Sequence, residues 1–227
     1  SECSLHFSML YILQQNSNKI NIITNKGVTM KYKKTKLALL IAGGLMVSGM
    51  ASAEGAATAS MLSNTCAGCH GTNGSSVGPA TPNIAGMSEE LFVEMMQAYA
   101  KDEIPSTIMG RIARGYTEDE TKAMGGFFSS QKLTRHSQAA DAGKAKSGAK
   151  LHKKYCEKCH EDQGYDNEVG VLAGQWMPYL QFSMADYLSG KREMPKKMKK
   201  KVDKMVKAKG EGSVEELVHF YGSLGDK

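Results

Sequence analysis

The sequence predicts an all-α protein made of two tandem copies of one small helical domain, each wrapped around a covalently attached group. Three observations predict it. The motif Cys-x-x-Cys-His occurs twice, as Cys66-Ala67-Gly68-Cys69-His70 and as Cys156-Glu157-Lys158-Cys159-His160, 90 residues apart. Helix-start signals and apolar faces follow each copy in the same order. No stretch shows the period-2 alternation of a half-buried strand above background.

The motif has a chemical logic. Two thiols one helical turn apart can meet two vinyl groups on one porphyrin edge and form thioethers. The adjacent histidine then offers its imidazole to the iron. A zinc pair or a thioredoxin-like dithiol would use the same cysteines differently. Zinc would need two more Cys or His ligands beside each pair, and the dithiol motif requires no histidine. Duplication within a repeat therefore points to two haem c groups. Cys66, Cys69, Cys156 and Cys159 are the attachment residues, and His70 and His160 are the proximal iron ligands.

Taken in order, the chain first shows processing signals. Met30 opens a lysine-rich stretch, Leu37 to Met50 is an apolar run of 14 residues, and Ala51-Ser52-Ala53 is a small-x-small cleavage site. Residues 30–53 read as a secretory signal peptide, and residues 1–29 as a non-native upstream leader. The apolar run is shorter than the roughly 20 residues of a membrane span, so no stable membrane anchor is expected. The fifth cysteine, Cys3, falls in the leader. Residues 1–53 hold six lysines and one acid, leaving 23 bases and 22 acids beyond them. The basic balance thus belongs mostly to the leader, and a nucleic-acid partner is not indicated. Residues 54–141 are acidic, with 6 bases and 10 acids, and residues 142–227 are basic, with 17 bases and 12 acids.

The first domain spans residues 54–130. Ala56 to Thr65 reads as a helix leading into the first motif. A Gly-, Ser- and Pro-rich loop follows, from Gly71 to Pro82. Ser88 is an N-cap for a helix with Leu91, Phe92, Met95, Met96 and Tyr99 as its apolar face, and Pro105 marks the break after it. Thr117-Glu118-Asp119-Glu120 resembles a capping box before a helix through Phe127 and Phe128. Residues 131–147 are polar, rich in Ala and Lys, and read as a linker. The second domain spans 148–227. Leu151 to Tyr155 leads into the second motif, Trp176 to Leu188 is a helix, and Ser213 is an N-cap for the last helix.

The repeat also selects distal iron ligands. Ile84-Ala85-Gly86 matches Leu172-Ala173-Gly174. Each match is followed by a helix, a proline (Pro105 or Pro195) and a methionine (Met109 or Met198). His70 to Met109 is 39 positions and His160 to Met198 is 38, whereas His160 to Met194 is 34. Four and seven positions on, Ala113 and Tyr116 match Val202 and Met205. Met109 and Met198 are therefore the expected ligands, with Met194 the alternative to Met198. Most of the 15 methionines are core filler. Histidine and methionine together close both axial positions, raise the potential and leave a one-electron couple. His136, His152 and His219 read as surface or satisfied histidines. The lysine run from Lys196 to Lys209 reads either as a solvated helical face or as a docking patch for an acidic partner.

Longer segments carry a resemblance. Met61 to Gly71, Ser76 to Ala80 and Ser106-Thr107-Ile108-Met109-Gly110-Arg111-Ile112-Ala113 resemble the dihaem cytochrome subunit of flavocytochrome c sulfide dehydrogenase. Gly148 to His160 and Leu172-Ala173-Gly174-Gln175-Trp176 to Gln181 do so as well. The Cys-x-x-Cys-His motif is common to c-type cytochromes; the segments around Met109 and Trp176 are more specific. The resemblance implies two tandem cytochrome c-like domains, each wrapped around one covalently bound haem, with His/Met ligation at His70, Met109, His160 and Met198. It implies a periplasmic protein partnered with a larger FAD-containing sulfide dehydrogenase subunit, passing electrons to a soluble acceptor cytochrome. FAD is expected only on that partner. It also implies that a proline carbonyl holds the proximal histidine, a role Pro79 fits; the second half has Val169-Gly170-Val171 in place of a Gly-Pro.

A free-standing dihaem carrier of the cytochrome c4 type shares the repeated layout. An enzyme in its own right would need an open iron site, which the paired methionines oppose. No Gly-x-Gly-x-x-Gly dinucleotide motif and no spare cysteine pair lie beyond the leader. No catalytic residue is expected on this chain, so sulfide chemistry, if any, falls to the partner.

Overall fold

A computed structural model describes residues 21–23, 29–31 and 57–225. The chain divides into two units, 1–56 and 57–227. In the first, β1 (Asn21–Ile23) pairs antiparallel with β2 (Thr29–Lys31), Ile22 opposite Met30. This short hairpin is an element the strand criterion missed: three-residue strands are too brief to show alternation, although Ile22, Ile23 and Thr29 are β-branched. The rest of the expected leader and the expected signal peptide lies outside the described residues.

All regular secondary structure among the described residues of the second unit is helical. Its first half runs α1 (Ala59–Asn64), α2 (Ala67–His70), α3 (Glu89–Ala100), α4 (Met109–Ala113) and α5 (Glu118–Ser129). The caps are local chemistry. Thr58 Oγ1 accepts from Met61 N, so α1 begins at Ala59, three residues inside the expected span. Ser88 Oγ accepts from Leu91 N, and Glu89 and Glu90 sit at the positive end of α3. Thr117 and Glu120 form a full capping box at α5, with Thr117 N donating to Glu120 Oε2 at 2.8 Å. These helices bury Leu62, Ile84, Phe92, Met96, Ala113, Met124 and Phe128 together. Met124 and Phe128 are almost wholly enclosed, each contributing about 1.5–3 kcal/mol by burial.

The second half runs α6 (Ala142–Leu151), a π-helical turn (His152–Cys156), α7 (Glu161–Gly164), α8 (Met177–Leu188), α9 (Lys196–Lys209) and α10 (Gly212–Gly222). Asp162 and Gln163 are left-handed within α7. Helix α6 starts inside the stretch expected to be a linker. Asp141 caps it, accepting from Lys144 N at 2.7 Å. Its buried stripe is thin because Gly148 lies against α10, where a Cβ would fall on the Glu216 carbonyl. An apolar-stripe criterion misses a contact made by glycine. Ser213 is not the cap of α10 as expected. It lies inside the helix, and its hydroxyl donates back to Gly210 O at 2.6 Å. The core here is Leu151, Tyr155, Leu180, Met205, Leu217, Val218, Phe220 and Tyr221.

The halves repeat in their backbone hydrogen bonds. Ile84 N and Ala85 N both donate to Gly74 O, and Gly86 N to Phe128 O. Leu172 N and Ala173 N both donate to Gly164 O, and Gly174 N to Tyr221 O. Gly74 and Gly164 have φ of 83° and 88°, a conformation in which a side chain is strained. Residues between the helical halves are well held: Leu133 is buried, Arg135 Nε donates to Ala173 O at 2.9 Å, and Gln138 bonds both Gln175 O and Met177 N.

Candidate haem-attachment sites

Each Cys-x-x-Cys-His motif closes one helical turn in the same way. His70 N donates to Cys66 O at 2.9 Å, and His160 N to Cys156 O at 3.0 Å. The turn brings the two cysteines of each pair within one helical turn of each other, the spacing attachment requires. All four thiols are free. Cys66 and Cys156 are half-buried against the two cores, and Cys69 and Cys159 are exposed. Burial pushes the Cys66 thiol up and the Cys156 thiol up to about 11, so both are neutral. Among the described residues no three His, Cys, Asp or Glu side chains are grouped to hold a bare metal ion.

The proximal histidines are held differently. His70 is 9% exposed, and its Nδ1 meets the Pro82 carbonyl at 2.9 Å. A carbonyl only accepts, so Nδ1 carries the proton and Nε2 keeps its lone pair. Burial also lowers the His70 pKa, against the opposing effect of the Pro82 bond. The result is a neutral imidazole with one nitrogen fixed and the other available to iron. The carbonyl is Pro82's, not that of Pro79. A turn closed by Thr81 N on Gly78 O carries Pro79 to the surface, while Asn83 Oδ1 accepts from Ser76 N at 2.8 Å and draws Pro82 inward. His160 Nδ1 is buried without a hydrogen-bond partner. The loop from Gly164 to Leu172 is two residues shorter than that from Gly74 to Ile84, and Gly170 stands where the first half has Pro82. Burial, and secondarily His152, lowers the His160 pKa.

Met109 is the first residue of α4 and packs against the same core as Cys66. Exposed Ile108 and Ile112 flank it. Met198 lies half-buried in the first turn of α9, whose Val202 and Met205 are buried, as Ala113 is below Met109. Met194 is 7% exposed, in the loop before α9. Free paired thiols, neutral imidazoles and thioethers on the following helices form a donor set that fits a covalently attached, six-coordinate haem.

The second site has a polar neighbour in His152, one of the histidines expected to be surface or satisfied. His152 is buried, its Nδ1 lies 2.9 Å from the Tyr221 hydroxyl, and its Nε2 lies against the Glu157 carboxylate. Tyr221 lies in the same core as Cys156. The position of His152, four residues before Cys156, is the one signal the sequence offers. His219 Nδ1 accepts from Asp141 N, and His136 stacks on Trp176 at 5.6 Å.

Comparison with known proteins agrees with this geometry. Residues 52–140 match the cytochrome c family. The cytochrome subunit of sulfide dehydrogenase from Chlorobaculum tepidum is 37% identical over 76 residues, 34% of this chain and 68% of that protein. Cytochrome c4 from Azotobacter vinelandii is 26% identical over 180 residues, 70% of this chain and 84% of that protein. Reduced cytochrome c4 from Pseudomonas stutzeri superposes with a TM-score of 0.59 at 24% identity, covering 74% of this chain and 100% of that one. The fold is thus two tandem cytochrome c domains.

Proposed function

The chain belongs to the cytochrome c family, and from that premise we propose that it is a periplasmic dihaem electron-transfer subunit. It takes electrons from an FAD-containing sulfide-oxidising subunit and passes them to a soluble acceptor cytochrome. Cytochrome c domains carry covalently bound haem c, which when bound supplies a one-electron iron couple. Cys66 and Cys69 would hold the first and Cys156 and Cys159 the second. His70 with Met109 and His160 with Met198 would be the iron ligands, with Met194 the alternative to Met198.

The observation that carries this reading is the duplicated turn with His70 fixed through Nδ1. A histidine so oriented serves a permanent ligand. The relative named as a sulfide dehydrogenase subunit supports the partner. No helix among the described residues is long and apolar enough to cross a membrane. A second reading, a free cytochrome c4-type carrier, is favoured by the longer match to cytochrome c4. Affinity capture of the holoprotein from periplasm, with a flavin spectrum of the eluate, separates the two. A stoichiometric flavoprotein supports the subunit; a chain that elutes alone, without flavin, supports the carrier.

A further inference from the structure

The segment Leu172-Ala173-Gly174-Gln175-Trp176 belongs to the second half, yet its polar side chains reach the first. Gln175 is 5% exposed. Its Oε1 accepts from Asn83 N at 2.9 Å, and its Nε2 donates to Asn83 O at 3.0 Å. Trp176 Nε1 donates to Ser76 O at 3.0 Å. Ser76 and Asn83 are themselves joined, Ser76 N donating to Asn83 Oδ1. The two ends of the loop that carries Pro82 are therefore tied to residues 92 and 100 positions later in the chain.

The Pro82 carbonyl and the Asn83 N–H belong to one planar peptide unit, with the two groups pointing in opposite directions. His70 Nδ1–H donates to one end of that plane, and Gln175 Oε1 accepts from the other. Fixing one end fixes the aim of the other. Accepting the Asn83 proton also polarises the amide, which strengthens the Pro82 oxygen as an acceptor. A stronger acceptor on Nδ1–H makes the imidazole a better electron donor through Nε2.

We propose that Gln175 is a positioning residue for the first haem site: its paired hydrogen bonds to Asn83 hold the Pro82 carbonyl on His70 Nδ1, so the second half of the chain sets the donor strength of the first half's proximal histidine. The proposal rests on the two-haem reading above. The arrangement is one-sided, because His160 Nδ1 has no partner.

The test uses the full-length holoprotein. The two reduction waves are followed spectroelectrochemically in wild type, Gln175→Met, Gln175→Ala and Trp176→Phe. The wave that survives loss of the Cys156 and Cys159 thiols identifies the first site. Gln175→Met keeps the bulk and removes both bonds to Asn83, together with the one Oε1 accepts from Trp176 N. It is expected to raise the first potential and leave the second unchanged. Gln175→Ala should do the same, and Trp176→Phe less. The paramagnetically shifted His70 Nδ1 proton should exchange about tenfold faster in Gln175→Met, the equivalent of one net hydrogen bond. A first wave that stays in place, or two waves that move together, overturns the proposal. If neither Gln175 variant holds both haems, wild type decides: a His70 Nδ1 proton exchanging as fast as that of His160 also overturns it. Failure of the two-haem reading looks different, because wild type would then show no second wave.

Discussion

The Tyr221 hydroxyl and His152 Nδ1 lie 2.9 Å apart where His152 is 1% exposed, on opposite sides of the α6–α10 contact. Tyr221 also receives Gly174 N on its carbonyl. One residue thus joins the last helix to the turn before Cys156 and to the segment that reaches the first half. Tyr221→Phe removes the hydroxyl and leaves a buried histidine nitrogen unpaired. The expected loss is about 1–3 kcal/mol, or roughly 2–4 °C of melting temperature per kcal/mol for a chain of this size. Thermal melts of the variant holoprotein check it; an unchanged midpoint would show that the bond contributes nothing net.

The same histidine predicts a pH dependence. Burial lowers the His152 pKa, and Glu157 opposes the shift without cancelling it. The polar groups facing it are Tyr221 and Glu157, and His160 lies close enough to feel its charge. The unfolded chain therefore binds the proton more readily than the folded one. The stability His152 contributes is complete above its unfolded pKa of about 6.5 and is lost as pH falls below it. Denaturant midpoints between neutral and mildly acid pH should fall in wild type, and less steeply in His152→Gln. Parallel slopes would assign the loss to other groups.

Gly148 predicts a packing effect. A methyl there meets the Glu216 carbonyl and the Phe220 Cβ, so α6 and α10 must separate. Gly148→Ala should destabilise by about 1–3 kcal/mol, although alanine favours the helix intrinsically. Denaturant unfolding measures it. A stabilised variant would mean that the helices do not meet so closely.

The methionines predict ligand chemistry. Met109→Ala and Met198→Ala should each open one iron, so that the reduced protein binds about one carbon monoxide. Met194→Ala should leave both irons closed. Carbon monoxide titration counts the open sites. If Met194→Ala opens a site and Met198→Ala does not, Met194 is the ligand.

The lysines of α9 predict a rate effect. Lys200, Lys204 and Lys207 are exposed, while Val202 and Met205 hold the helix to the core. Replacing the three lysines with glutamate should slow electron exchange with an acidic partner about tenfold at low salt and flatten its salt dependence. Stopped-flow rates across ionic strength test this. An unchanged salt slope would leave α9 as a solvated face.

What the sequence by itself determined is what lies close along the chain. Cys66, Cys69 and His70 fit in one helical turn, so their cooperation is written in their spacing. Ser88 and Thr117 cap helices through atoms three residues away, and Ile84-Ala85-Gly86 announced its counterpart because both bind an upstream glycine carbonyl. What only the tertiary structure decided depends on backbone atoms meeting across long separations. The carbonyl that holds His70 belongs to Pro82 rather than Pro79, because a turn and an Asn83–Ser76 bond choose between two similar prolines. Helix α6 extends into a polar stretch because α10 packs on a glycine, which has no side chain to reveal the contact. Gln175 reaches Asn83 through a main-chain N–H and C=O. Every residue but proline carries both of those groups, so no residue type marks them, and the link between the halves exists only once the chain is folded.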